Sequence, residues 1–402
     1  MNARAGRLRW LNNTVLGIGL ASLFADWSYE MATAVLPAFL TAMGVAAAWV
    51  GLIEGLADGL SSFTKLGSGF YTDRLERRKP IAVIGYVITA LGTGAFAFAA
   101  NAWHVLLARC AAWFGRGLRT PVRKALLAAA VTRDTYGRAF GLERSMDTLG
   151  AIAGPATALA LLSLLHQSYS RLFLIALIPG LLAALVMGLL VKERARLPVP
   201  HVDLADSLRA LPGRFRRFMF ASGLFGLGDF SHTLLILLAA QKLTGVYGLA
   251  TAARMATGLY LLHNLVYAGF SLLTGQWADR YHKGRLLAAG YALAALMALM
   301  VVFLPLNVWV LTAVFVLAGV YIAMAETLED SFTAELVGET QHGMAFGTLA
   351  MVNGFGDFIS SVVVGLLWTR FGTSIAFTYS AVLFIAGSWL VAQLARPRID
   401  IG

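Results

Sequence analysis

Apolar runs of about 20 residues, separated by short polar connections, recur along the whole chain. A helix of about 20 residues spans the roughly 30 Å hydrocarbon core of a bilayer. Twelve segments fit, centred on Thr14–Met43, Trp49–Gly69, Ile81–Ala100, Trp103–Ala130, Ala139–Leu164, Leu172–Val191, Phe218–Ala240, Ala252–Leu273, Leu286–Leu304, Val308–Ala325, Ala345–Trp368 and Ile375–Leu394. The pattern predicts an all-α integral membrane protein of twelve transmembrane helices. The run from Thr14 is too long for the apolar core of a signal peptide and lacks a small-residue cleavage pattern, so it reads as a retained first helix.

Composition supports this reading. The 402 residues are 58% hydrophobic and 13% charged, against about a quarter charged in a soluble domain. A net charge of +11 in a soluble chain would raise nucleic acid as a partner. Here the basic residues lie between apolar runs, so the bilayer is the expected partner and nucleic acid is not. One cysteine, Cys110, leaves no internal disulfide and no cysteine-rich metal site. Lysine and arginine placement sets orientation. Arg4, Arg7, Arg9, Arg74–Lys79, Arg133, Arg138, Lys192–Arg217, Arg280, Lys283, Arg285, Arg396 and Arg398 mark one side, while the other holds little beyond Arg171, Lys242 and Arg370. Both termini are therefore expected in the cytoplasm, with the chain in a cell membrane, a bacterial inner membrane being the expected setting.

The Lys192–Arg217 stretch, with Pro198, Pro200 and Pro212, is the only long polar connection and falls at the midpoint. It divides an N-terminal half (1–191) from a C-terminal half (218–402), with 192–217 as the linker. The halves repeat. Gly69-Phe-Tyr-Thr-Asp73-Arg74 recurs as Gly275-Gln-Trp-Ala-Asp279-Arg280, and Gly137-Arg-Ala139-Phe140-Gly141 as Gly343-Met-Ala345-Phe346-Gly347, both at an interval of 206 residues. Asp26-Trp-Ser28 recurs as Asp229-Phe-Ser231 at 203. Duplicated halves around a midplane site mark a transporter.

These residues resemble the major facilitator superfamily. Its loop motif, glycine-x-x-x-aspartate-arginine-x-glycine-arginine-arginine, appears as Gly69, Asp73, Arg74, Glu76, Arg77 and Arg78, with Glu76 in place of the second glycine. A weaker copy at Gly275, Asp279, Arg280 and Arg285 sits in the matching loop. The fifth span resembles the family's antiporters through Gly141, Gly150, Gly154 and Pro155, with Ala158-Leu159 in place of the final glycine pair. The resemblance implies two six-helix halves, a monomer, a loop motif that locks the cytoplasmic side, and export coupled to inward proton movement. Small residues every four positions also simply pack membrane helices.

Ionisable residues inside a bilayer are costly unless paired, so each is a functional candidate. Asp26 and Glu30, Glu54 and Asp58, and Glu143 and Asp147 are each spaced i, i+4, hence share a helix face. Arg109, Arg116 and Arg123 form a stripe on the fourth span, with Arg119 beside it. At about 1.5 Å per residue, Glu30 and Arg109 fall at one depth. The spacing predicts an outer cluster of Glu30, Arg109 and Asp58 and an inner cluster of Asp147 and Arg116. Asp26, Glu30 and Asp58 are the proton-coupling candidates, while Arg116, Glu143 and Asp147 read as structural ion pairs. Arg109, Asp229, His232, His263, Asn264 and Asn353 are the substrate-binding candidates. Glu326, Glu329 and Asp330 are expected to end the tenth helix and to pair with basic loops.

No cofactor is called for, and two histidines on different spans make a poor metal pattern. Nucleotide loops, zinc-binding helix motifs and nucleophile elbows are missing, which argues against an enzyme. The expected function is proton-coupled export of a drug-like compound or metabolite. Uptake of an anionic or zwitterionic solute, with Arg109 as counter-ion, is the alternative.

Overall fold

The computed structural model describes residues 10–44, 47–166, 168–193 and 203–395, and all their regular secondary structure is helical. The N-terminal arginines at 4, 7 and 9, linker prolines 198 and 200, and Arg396 and Arg398 lie outside the described residues. The helices are α1 (Asn13–Ala42), α2 (Ala47–Thr72), α3 (Lys79–Ala95), α4 (Ala102–Ala129), α5 (Tyr136–Leu164), α6 (Tyr169–Leu190), the short α7 (Leu204–Arg209), α8 (Gly213–Gly226), α9 (His232–Tyr247), α10 (Leu249–Ala278), α11 (Lys283–Phe303), α12 (Val308–Leu336), α13 (His342–Phe371) and α14 (Thr373–Leu394). Among the described residues, eight helices are long and apolar enough to cross a bilayer on length and composition alone: α3, α5, α6 and α10 to α14. The other four spans are α1, α2, α4 and the α8–α9 pair.

Two spans differ from the sequence expectation. The seventh is not continuous, because α8 stops at Gly226 and α9 starts at His232. Gly226 and Gly228 are poor helix formers. Asp229 and Ser231 carry side chains that compete for backbone N–H groups. Ser231 then caps α9, accepting the Thr233 amide at 3.3 Å. The tenth span does not end near Ala325. It runs on to Leu336, because Thr327, Glu329, Asp330, Ser331 and Thr333 are buried in protein. Hydropathy alone stops where polar residues begin, but a helix continues where those residues have protein to face.

The chain forms two compact units, Met1–Leu211 with Thr333–Met351, and Pro212–Phe332 with Val352–Gly402. In the first, α1 packs on α5 and α6, and α4 packs on α2 and α3. Ile18, Ala25, Tyr86, Leu127, Phe140 and Met187 share one buried cluster, and Leu36, Phe39, Ile53, Phe96 and Phe173 another. In the second, α14 packs on α8 and α11, and α9 packs on α10. There the Phe225 and Tyr291 rings stack 3.7 Å apart. Leucines such as Leu107, Leu159 and Leu189 are exposed, as a lipid-facing surface requires.

Candidate functional site

The α4 arginines survive in the bilayer because each has an acid, an aromatic face, or both. Arg123 meets Glu143 at 2.7 Å, Asp147 at 3.3 Å and the Ser22 hydroxyl at 2.6 Å. Arg144 completes Asp147 at 2.8 Å. The inner cluster therefore centres on Arg123. Arg116, its expected member, lies 4.7 Å over the Tyr29 ring and reaches Asp147 only through longer-range electrostatics. Arg119 lies 4.4 Å over Tyr86 and 3.8 Å from Asp26. A guanidinium over an aromatic face gains cation–π attraction that lipid cannot screen.

The outer cluster also differs from expectation. Arg109 pairs with Glu54 at 2.7 Å, donates to Thr33 at 2.9 Å and lies 3.5 Å over Trp113. Trp113 in turn donates to Asp58 at 2.6 Å. Arg109 and Asp58 are thus joined through an indole, and the acid on Arg109 is Glu54 rather than Glu30. Depth allowed either carboxylate; helix rotation decided, because α4 packs on α2. Asp58 itself is exposed.

Asp26 and Glu30 lie along a seam where α5 presses on α1. A Cβ on Gly150 would sit 2.3 Å from the Leu23 carbonyl and 3.1 Å from the Asp26 Cβ. One on Gly154 would sit 2.6 Å from the Glu30 Cβ. Pro155 lies within the same helix. Glycine is required here for closeness, and the acids are held at a helix–helix joint. Asp26 is buried, Glu30 half-buried.

A second joint, also in the first unit, involves the loop motif. Asp73 accepts the amides of Gly343 at 3.0 Å and Met344 at 2.7 Å, the first turn of α13. A carboxylate at a helix N-terminus satisfies orphan donors and meets the positive end of the dipole. Gly69 makes room, since its Cβ would fall 2.2 Å from the Gly343 carbonyl. Arg78 stands 3.7 Å from Asp73 and donates to the Glu339 carbonyl at 3.3 Å. Arg74 lies 3.8 Å over Phe70, and Arg77 is exposed. Glu76 replaces the motif's glycine without strain: among the described non-glycine residues only His166 has positive φ. Glu193 accepts the amides of Arg78 at 2.7 Å and Lys79 at 2.9 Å, capping α3. Partial burial holds its carboxyl above the usual range. In the weaker copy, Asp279 is half-buried and Arg280 exposed at the turn after α10.

The second unit has a different chemistry. Asp229 accepts the Tyr321 hydroxyl at 2.9 Å. Glu329 accepts Asn353 at 2.6 Å, Ser222 at 3.1 Å and the Tyr291 hydroxyl. Glu326 accepts Tyr267 at 2.5 Å. These acids lie within the unit, bonded to its own hydroxyls and amide, which corrects the expectation of a basic-loop partner for Glu329. His232 and His263 have ring centres 4.5 Å apart, and Tyr260 stacks 5.8 Å from His263. Asn264 donates to the Tyr260 carbonyl at 3.1 Å. Among the described residues no three His, Cys, Asp or Glu side chains form a metal-binding group.

Sequence reasoning missed Glu54 as the partner of Arg109, and it missed Trp113, Tyr291 and Tyr321. The i, i+4 pairing of Glu54 with Asp58 was the available signal for the first. Nothing in the sequence distinguished these aromatics from packing residues.

Twelve helical spans, acids and arginines held inside them, and a helix-capping loop motif define a polytopic membrane transporter. The Major Facilitator Superfamily family model matches residues 18–328 and 218–400, and the chain belongs to that family. An uncharacterized MFS-type transporter of Methanocaldococcus jannaschii is 27% identical over 383 residues, 95% of each chain. The multidrug resistance protein MdtH of Photorhabdus laumondii is 33% identical over 109 residues, 26% of this chain and 27% of its own. The solved fucose:proton symporter FucP of E. coli shares the fold, with a TM-score of 0.77 at 17% identity over 96% of this chain and 100% of its own.

Proposed function

We propose that this secondary transporter exports a small organic molecule, drug-like or metabolic, in exchange for protons. The observation that carries the reading is the α1–α5 seam, where Gly150 and Gly154 of the antiporter-like pattern press on Asp26 and Glu30. Asp26 lies 3.8 Å from Arg119, beyond hydrogen-bond length, with Arg116 and Arg123 acting on it at longer range. A loosely compensated carboxylate can trade its counter-ion for a proton as its surroundings change. The partial likeness to a multidrug resistance protein agrees with efflux. Asp58 offers a third carboxylate, and Asp229, His232, His263, Asn264 and Asn353 offer polar contacts for substrate. The basic loops face the cytoplasm in this reading, and the Asp73 joint is the latch that must open for cytoplasmic access. Uptake in symport with protons is the competing reading, and a fucose:proton symporter has the same fold.

Transport by the purified protein in vesicles holding a pH-sensitive dye tests this, with cationic, neutral and anionic compounds applied. Compound-driven proton movement lost in Asp26→Asn or Glu30→Gln is the expected result. Movement of compound and proton in the same direction establishes symport instead. Compound flux without any pH change ends the proton-coupled reading.

A further inference from the structure

The duplicated fold repeats one interior contact with its chemistry changed. In the first unit Arg123 meets Asp147 at 3.3 Å, 24 residues later in the chain. In the second unit Glu329 meets Asn353 at 2.6 Å, again 24 residues later. Glu329 follows Arg123, and Asn353 follows Asp147, by the same 206 residues that separate Asp73 from Asp279. The position that holds a cation in one half therefore holds an acid in the other, and the partner that holds an acid holds a neutral amide.

We propose that Glu329 is an exchangeable proton site of the C-terminal half, cycling between carboxylate and carboxylic acid. Its use in transport rests on the proton-coupled reading above, whereas its proton binding does not.

The argument is the composition of its shell. Glu329 is 4% exposed. It is faced by Ser222 from α8, Tyr291 from α11 and Asn353 from α13, with Asp330 beside it on α12. Asp229, between α8 and α9, adds negative charge against Tyr291, and Glu326 on α12 is held by Tyr267. None of these groups is a cation. A buried carboxylate without a counter-ion is held against a large desolvation cost. Taking a proton removes that cost, provided the new O–H finds an acceptor.

This shell provides one. Tyrosine and serine hydroxyls can donate or accept, whereas a guanidinium only donates. With Glu329 ionised, Tyr291, Ser222 and Asn353 all donate to it. With Glu329 protonated, its O–H points at the Tyr291 or Ser222 oxygen, that hydroxyl reverses, and Asn353 still serves the other oxygen. Ser222 already has an alternative acceptor in the Asn353 carbonyl, 3.3 Å away. Ser222 thus keeps an acceptor in either state. Around Arg123 the same exchange is opposed: Ser22 bonds Glu143 at 3.0 Å and could accept an O–H, but protonating either acid strips counter-charge from a buried guanidinium that cannot give up its own. The step moves one proton between water and a carboxylate oxygen and changes no other bond.

Infrared difference spectroscopy on the full chain in lipid nanodiscs, titrated with pH, tests the site. The expected result is a carboxylic-acid carbonyl band that disappears on raising pH and is missing in Glu329→Gln. Tyr291→Phe, which keeps the ring stack on Phe225 but removes the hydroxyl, is expected to move the titration midpoint of that band. It serves as the readout if Glu329→Gln folds poorly. A band unchanged in both variants overturns the proposal. In dye-loaded vesicles, Glu329→Gln is expected to lose compound-driven proton movement while keeping exchange of labelled for unlabelled compound. Coupled proton movement retained in Glu329→Gln also overturns the transport role of the site. If wild type moves no protons with any compound, the coupled-transport reading fails, and the infrared band alone decides Glu329.

Discussion

The Arg123 hub and the Glu329 shell occupy matching places in two copies of one fold, yet they obey opposite rules. Arg123 is a permanent charge with donors only, so its acids Glu143 and Asp147 are fixed as its counter-ions. Glu329 is surrounded by groups that can reverse their hydrogen bonds. Duplication supplied the geometry, and substitution then made one copy a frame and the other a place where charge can change. Similar contact distances thus say little about function until the donor and acceptor capacity of each partner is counted.

The comparison can be broken most forcefully at Arg123. Arg123→Met leaves buried Glu143 without its cation and Asp147 with Arg144 alone, and losing one partner of a buried pair costs about 3–5 kcal/mol. The expected outcome is failure to recover folded protein, read by melting in detergent. Neutralising all three together, with Glu143→Gln and Asp147→Asn added, is expected to recover part of that loss, because neither buried acid is then left charged and only Arg144 loses Asp147. Equal losses in the single and triple variants would show that Arg123 acts through packing rather than charge.

A smaller effect is expected at the α1–α5 seam. Gly150→Val forces a branched side chain against the Leu23 backbone, at a cost of about 1–3 kcal/mol typical of overpacking. Transport is expected to fall further than melting temperature, since Asp26 is displaced. Unchanged transport would detach the glycine pattern from the acids beneath it.

An effect of similar size, confined to the start of α13, is expected at the Asp73 joint. Asp73→Asn keeps one acceptor oxygen, turns an NH2 toward the backbone amide that the other oxygen accepted, and removes the acid beside buried Arg78, at a cost of about 1–3 kcal/mol for the buried donor left unpaired. The check is the rate of access of a thiol reagent to a cysteine placed at exposed Arg77, expected to rise as the α13 start loosens. No change in rate would make the joint a passive contact.

Much of the fold was legible. Apolar runs near helix length, basic loops and the 206-residue repeat point to twelve spans in two halves, and the family membership follows the same residues. The broken seventh span left a visible trace in Gly226, Gly228 and Asp229, but hydropathy averaged over a window passes across it. The extended tenth span was hidden because its polar residues face protein, which no hydropathy scale records.

The site was legible in its members more than in its pairings. Sequence alone determined that acids and arginines lie within the spans, but ordered them in depth only coarsely, since Asp147 meets Arg123, about 10 Å along α4 from the expected Arg116. It also singled out Gly69 as a motif residue and Gly150 and Gly154 as an antiporter-like or packing pattern, without saying which backbone each approaches. Only tertiary structure decided that Arg109 takes Glu54, that Arg123 rather than Arg116 binds Asp147, and that Glu329 has hydroxyls and an amide for company. Partner choice depends on how each helix is rotated about its axis and how far it is shifted along it, and both are set by the packing of all its neighbours together.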